Sequence, residues 1–370
     1  MTEHAGGLPG YAEHFGEPEG YLDFARYGPP SRDVLDATAA ALAASAEADH
    51  TTVNDLMRAE PRARAAAARL AGTDTEHVAL LPNASTGIFH AAFGVPGGAV
   101  LVPSADFPAN HYPWRRAAAL GRAVPRWLDG APTPGAVREA LTDEVVAVSV
   151  SAVDFRTGYR ADLAALREVV GDRLLVVDAM QAFGVAELPW QAADVVVAGG
   201  QKWLRASWAT GFAALSDRAL ERLEPTLTGW TGVEDVAVFD DTEHPVAPDA
   251  LRWSITNLSP VTAAAFAVAL ELVEGVGVAA IEGHVARRVD ELIDVVRSAG
   301  GRVLSPVARA ERAGIVSFAV PDVDPAQIAK ALHEHGVTPS VRADSVRLSA
   351  HASTTAGAVE RVRAALASLR

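Results

Sequence analysis

Short runs that are apolar on both faces constrain this chain more than any other feature. Leu174-Leu175-Val176-Val177 and Val195-Val196-Val197-Ala198 are the clearest, and further strand-like runs lie near residues 77–81, 99–102, 123–127, 145–150 and 211–215. A strand with no polar face has to be covered on both sides. Amphipathic segments suited to that covering fall at 86–93, 110–120, 133–141 and 162–170, after helical patterns at 32–48 and 61–71. Strands alternating with helices predict an α/β fold with a largely parallel sheet sandwiched by helices. The pattern changes across 225–252, a stretch acidic and rich in turn residues. Beyond it come helical segments at 260–273 and 277–299, strands at 315–320, 337–341 and 345–348, and helices at 325–335 and 356–369. These predict a smaller C-terminal α+β domain. The expected division is an N-terminal segment 1–30, a large domain 31–250 and a small domain 251–370, which suits a chain of 370 residues.

Composition excludes several functions. The formal charge is −14, from 32 basic against 46 acidic residues, the wrong sign for general binding to nucleic acid. No apolar run reaches the roughly 20 residues of a membrane span. The opening Met1-Thr2-Glu3-His4 lacks the basic head and apolar core of a secretory signal, so a cytoplasmic location is expected. There is no cysteine, which removes disulfides, thiolate metal sites and any cysteine nucleophile. The 11 histidines form no metal-binding motif; His333-Glu334-His335 reads as a solvated helix end, and Asp240-Asp241-Thr242-Glu243 as a solvated loop.

Nearly all the basic residues are arginine; the only two lysines are Lys202 and Lys330. A primary amine can lose its proton and condense with a carbonyl, which a guanidinium cannot do. Lys330 sits in an amphipathic helical pattern and is expected to be exposed. Lys202 follows a buried run through Gly199-Gly200-Gln201 and precedes Trp203, where apolar surroundings would favour the neutral, nucleophilic amine.

Three further segments complete a set. Asn83-Ala84-Ser85-Thr86-Gly87 opens a helix, where free N–H groups suit a phosphate, although Ser or Thr there is also an ordinary cap. Asp178 ends a buried run at the sheet edge where open α/β sheets bind ligands, or else caps the next turn. Arg347, in Ser345-Val346-Arg347-Leu348-Ser349, is either an edge charge or a carboxylate clamp. A phosphate cradle, an acid, a Schiff-base lysine and an anion clamp together are what pyridoxal 5′-phosphate and an amino acid require.

With these residues in place, the chain resembles the class V aminotransferase family of fold-type-I pyridoxal-phosphate enzymes, which includes cysteine desulfurases, kynureninases and isopenicillin-N-epimerase-like proteins. The resemblance runs from about residue 21 to 370. It rests on Val177-Asp178-Ala179-Met180-Gln181, on Gly199-Gly200-Gln201-Lys202-Trp203-Leu204, on Thr210-Gly211-Phe212, and on Arg342 with Val346-Arg347-Leu348-Ser349. It implies the following roles. Lys202 carries the cofactor, Asp178 pairs with the pyridine nitrogen and Gln181 touches the phenolic oxygen. Ser85 and Thr86 cradle the phosphate, Phe107 stacks on the ring, and Arg347 binds the substrate carboxylate. Where many relatives have Ser and His before the lysine, this chain has Gly199 and Gln201, so backbone amides or the Gln201 amide must serve the phosphate. The resemblance also implies a homodimer with a phosphate contact from the partner subunit, for which Thr256 and Asn257 are the candidates.

The chemistry then expected is removal of the Cα proton of a small-molecule amino acid with Lys202 as base. Amino-group transfer is the favoured outcome. Elimination at a C–S or similar bond and epimerisation are alternatives, and a non-catalytic cofactor-binding protein is a more distant one. Desulfuration through an enzyme cysteine is excluded.

Overall fold

A computed structural model describes residues 7–369; the N-terminal tetrapeptide read above for a targeting signal lies outside them. Seven strands build the large sheet: β1 (Val78–Leu80), β2 (Ala99–Pro103), β3 (Val124–Leu128), β4 (Val145–Ser151), β5 (Leu174–Asp178), β6 (Val195–Gly199) and β7 (Gly211–Leu215). Their spatial order is β1-β7-β6-β5-β4-β2-β3. The pairs β3/β2, β2/β4, β4/β5 and β5/β6 are parallel, whereas β7 runs antiparallel to both β6 and β1. The sheet is therefore mixed through one reversed strand, and its parallel strands send their C-terminal ends to one edge.

The double-sided covering follows the two-residue period of a strand. Leu175, Val177, Val196 and Ala198 belong to one apolar core, while Leu174, Val176, Val195 and Val197 belong to the core on the opposite face. Helix Ala84–Gly94 covers the second face, packing on β5, β6 and β7. On the first face helix Ala59–Ala71 meets β1 and β7.

The small antiparallel sheet comprises β8 (Arg302–Val303), β9 (Ile315–Ala319), β10 (Ser340–Val341) and β11 (Val346–Ser349), in the order β10-β11-β9-β8. The segment expected as a strand over 337–341 pairs only at Ser340 and Val341, because Val337 and Thr338 close the end of helix Pro325–Glu334 and bridge to the N-terminal segment. Two features cross the boundary expected near residue 250. Helix Pro260–Val276 packs against helices Arg32–Glu47 and Ala59–Ala71, and one continuous apolar core takes in Val177 of the large sheet together with Val316 and Phe318 of the small one. The N-terminal segment also joins the small sheet. Asp23 bridges to Ser349, and Ser349 Oγ accepts the Ala25 amide at 2.9 Å. No single helix among the described residues is long and apolar enough to cross a membrane.

Candidate active site

The C-terminal ends of β4, β5 and β6 open onto a cleft of about 480 Å³, within the usual size range of small-molecule sites. Its floor carries Lys202. Gly200 brings the chain there because it has no room for a side chain: a Cβ would overlap Thr210 and lie 2.8 Å from the Ala206 methyl, while one on Gly199 would press only on the movable ends of Met180 and Gln201. Beyond the lysine the backbone closes on itself, with Gly200 N–H donating to Thr210 O (2.9 Å) and Ala206 N–H to Gly200 O (2.8 Å). Three non-glycine residues of this turn hold left-handed conformations, Arg205 (φ 56°), Ser207 (φ 70°) and Ala209 (φ 60°). Such strain persists only where the surroundings enforce it. Arg205 is the enforcing residue: it is 1% exposed, pairs with Glu17, donates to Pro29 O and Ser353 Oγ (3.0 Å), and stacks 3.4 Å above the Phe15 ring.

Asp178 lines the cleft at the end of β5. Among the described residues its carboxylate accepts one hydrogen bond, from Met180 N–H (2.9 Å). Burial raises its proton affinity; the Met180 amide and the Lys202 charge oppose this, and the Asp106 charge adds to it. Burial acts in the opposite sense on Lys202 and lowers the proton affinity of its amine, with Asp178 opposing and Arg347 and Arg342 reinforcing. A buried carboxylate with one amide donor is suited to a cationic N–H, and a partly neutral amine to a carbonyl.

Phe107 also lines the cleft, 43% exposed, with Lys202 Nζ 5.5 Å from its ring centroid and Phe155 edge-on at 5.1 Å. Asp106 fixes its position. The Asp106 carboxylate accepts from Phe107 N–H (2.7 Å), Asn110 Nδ2 (2.9 Å), Ser151 N–H (3.1 Å) and Ser151 Oγ (2.6 Å), so this buried charge is fully hydrogen-bonded.

At the start of helix Ala84–Gly94, Asn83 caps the helix by accepting from Thr86 N–H (2.9 Å) and Thr86 Oγ1 (3.2 Å). Both Thr86 donors are thus turned to the cap and Thr86 does not line the cleft, whereas Asn83, Ala84 and Ser85 do. Gln201 lines it as well. Gln181 does so while bonded on both ends of its amide, to Ala25 O (2.9 Å) and to the Trp203 indole N–H (2.7 Å).

Arg347 closes the far side. Its guanidinium donates to Phe155 O (2.6 Å) and Ser340 Oγ (2.8 Å) and lies 3.5 Å from Asp23, while its buried Nε has no partner among the described residues. Burial draws its pKa down to about 10. A guanidinium lining a ligand cleft is suited to a carboxylate. Asn257 is exposed and lies outside this chain's cleft, as does Thr256, which accepts from Trp230 Nε1 (3.2 Å). Lys330 is exposed, 3.8 Å from Glu334. No group of three or more His, Asp or Glu among the described residues is arranged to hold a metal.

Sequence reasoning missed Arg26, Ser151, Phe155 and Trp208. Ser151 was legible as the polar residue ending a buried run, the same signal that marked Asp178. Arg26 and Phe155 carry no local signal, since they reach the cleft only through long-range packing.

The architecture is that of fold-type-I pyridoxal-phosphate enzymes, and pyridoxal phosphate is the cofactor of the family whose model the chain matches. The family model for class V aminotransferases matches residues 21–366, and the chain belongs to that family. It is 27% identical over 307 residues to a kynureninase of Deinococcus radiodurans, covering 79% of this chain and 73% of the relative. It is 29% identical over 324 residues to a probable cysteine desulfurase of Aeropyrum pernix, covering 78% and 74%. Among solved structures, the cystine C–S lyase C-DES in complex with its product cysteine persulfide superposes with a TM-score of 0.86 at 20% identity, over 97% of this chain and 99% of that one.

Proposed function

We propose that the protein is a lyase that breaks a C–S bond at Cβ of an amino acid and releases the sulfur compound directly. One observation carries this: the chain is similar over most of its length to cysteine desulfurases and has no cysteine. With no thiol to take up sulfur, the sulfur must depart on the leaving group. C-DES, described as a cystine C–S lyase, supports the same direction. Elimination is therefore preferred to the amino-group transfer expected from the sequence.

Pyridoxal phosphate, when bound, supplies the electron sink that makes the substrate's Cα–H bond acidic. In this reading Lys202 anchors it and Asp178 keeps a proton on its ring nitrogen. Phe107 presents a flat face and Gln181 a remaining amide hydrogen, while Ser85 and the Ala84 and Ser85 amides receive the phosphate. Arg347, which lines the cleft, orients the substrate carboxylate. The Lys202 amine takes the Cα proton, the Cβ–S bond breaks with its electron pair on sulfur, and the three-carbon fragment hydrolyses to pyruvate and ammonium. A cytoplasmic homodimer belongs to this reading; Thr256 and Asn257, exposed outside their own cleft, are then available to a second copy.

The test is to incubate holoenzyme with L-cystine and with S-alkyl cysteines, following pyruvate and the released sulfur compound. Stoichiometric appearance of both supports elimination. Accumulation of the pyridoxamine form, with turnover dependent on an added 2-oxo acid, would overturn it in favour of transfer.

A further inference from the structure

We propose that Arg26 and Arg342 form a second anion site in the cleft, which selects a substrate whose sulfur leaving group bears a carboxylate of its own. This deepens the lyase reading and rests on it. The chain as a whole carries a formal charge of −14, yet four cations line the cleft, Arg26, Lys202, Arg342 and Arg347, against the single carboxylate of Asp178. Lys202 and Arg347 have roles in holding the cofactor and the α-carboxylate. Arg26 and Arg342 are left over.

These two residues come from opposite ends of the sequence and are brought to one rim by the docking of the N-terminal segment on β11. Neither side chain has a hydrogen bond or a carboxylate partner among the described residues, whereas Arg347, beside them, is held by Asp23, Ser340 and Phe155 O. The Arg342 guanidinium lies 5.6 Å from the Phe155 ring centroid, and Phe155 in turn packs edge-on against Phe107. That wall suits the apolar body of a leaving group, with the arginines beyond it for a terminal anion. Arg342 lowers the proton affinity of both Lys202 and Arg347, and Arg26 that of Arg347. Asp178 and Asp23 oppose this at Lys202 and Arg347, while Arg26 and Arg342 themselves have no carboxylate partner among the described residues. A ligand anion would relieve the repulsion through charge-assisted hydrogen bonds.

Two probe substrates of nearly equal shape test the site on holoenzyme: S-(2-carboxyethyl)-L-cysteine and its neutral amide, S-(2-carbamoylethyl)-L-cysteine. Elimination gives pyruvate, ammonium and 3-mercaptopropionate or its amide. The acid is expected to be preferred by about ten- to a hundredfold in kcat/KM. In Arg342→Gln and in Arg26→Gln that ratio should fall, approaching one in the double variant, with the visible cofactor spectrum retained. A wild-type ratio near one overturns the proposal and leaves the lyase reading intact. Variants that lose the cofactor instead overturn it by assigning the arginines to the phosphate. If neither compound yields pyruvate, but the acid perturbs the cofactor spectrum at tenfold lower concentration than the amide, the anion site stands and the lyase reading fails.

Discussion

The indole Nε1 of Trp203 donates a 2.7 Å hydrogen bond to Oε1 of Gln181, tying the residue after Lys202 to the turn that follows β5. Trp203 is 1% exposed and Gln181 4%, so neither partner has water as a substitute. Gln181→Leu leaves a buried donor unpaired and should cost about 1–3 kcal/mol, read as a lower unfolding midpoint of the holoenzyme. Adding Trp203→Phe removes the orphaned donor and should recover part of that loss. No recovery in the double variant would show that the bond does not couple the two segments.

On the proposed reading, Lys202→Ala removes both the covalent anchor and the base. The purified variant should lose the yellow chromophore that borohydride fixes in wild type, and activity should fall by on the order of 10³-fold or more. Asp178→Asn keeps the shape but not the charge; a loss of about 10²–10³-fold in kcat with the cofactor still bound is expected. Little change in kcat would remove Asp178 from the chemistry.

Covalent loading of the apoprotein should depend on pH with a defined sign. On the proposed reading the neutral amine attacks the cofactor aldehyde, and burial lowers the Lys202 pKa to about 8. The loading rate, followed by visible absorbance, should rise with pH and level off near pH 8. Continued increase toward the 10.5 of an ordinary lysine would show that the amine is solvated.

His351 gives acid sensitivity of the opposite origin. It is fully buried, donates from Nε2 to Trp203 O (2.9 Å), and has no partner at Nδ1 among the described residues. Burial lowers its pKa to about 3, reinforced by the Arg205 charge. Because the unfolded chain protonates it near 6.5, its contribution to stability is complete above that value and is lost as pH falls toward 3. His351→Phe should flatten the pH dependence of the unfolding midpoint in that window. An unchanged slope would exclude His351 as its source.

Arg205 and Glu17 form an ion pair in which the side chains are 1% and 7% exposed. Glu17→Gln removes one charge and leaves the other buried, a loss of about 3–5 kcal/mol. Because Arg205 holds the left-handed turn after Lys202, the same variant should release cofactor faster, measurable by dialysis against a carbonyl scavenger. Destabilisation without faster release would mean that the turn keeps its shape unaided.

The sequence by itself determined the layered architecture and the residues with distinctive chemistry. Runs such as 174–177 and 195–198 have no polar face to offer water, so they must be covered on both sides, and their ends fix where Asp178 and Lys202 emerge. A lysine retained in an arginine-rich chain, behind two glycines, was equally legible. Tertiary structure decided the rest. The reversal of β7, the turning of Thr86 to its own helix cap, the tethering of both Gln181 amide ends and the arrival of Arg26 at the cleft all depend on contacts between residues far apart in the chain. Hydrophobic periodicity records which face of an element is buried, but not which distant polar group will meet it; that is settled only when the N-terminal segment and the small sheet close over the edge of the large one.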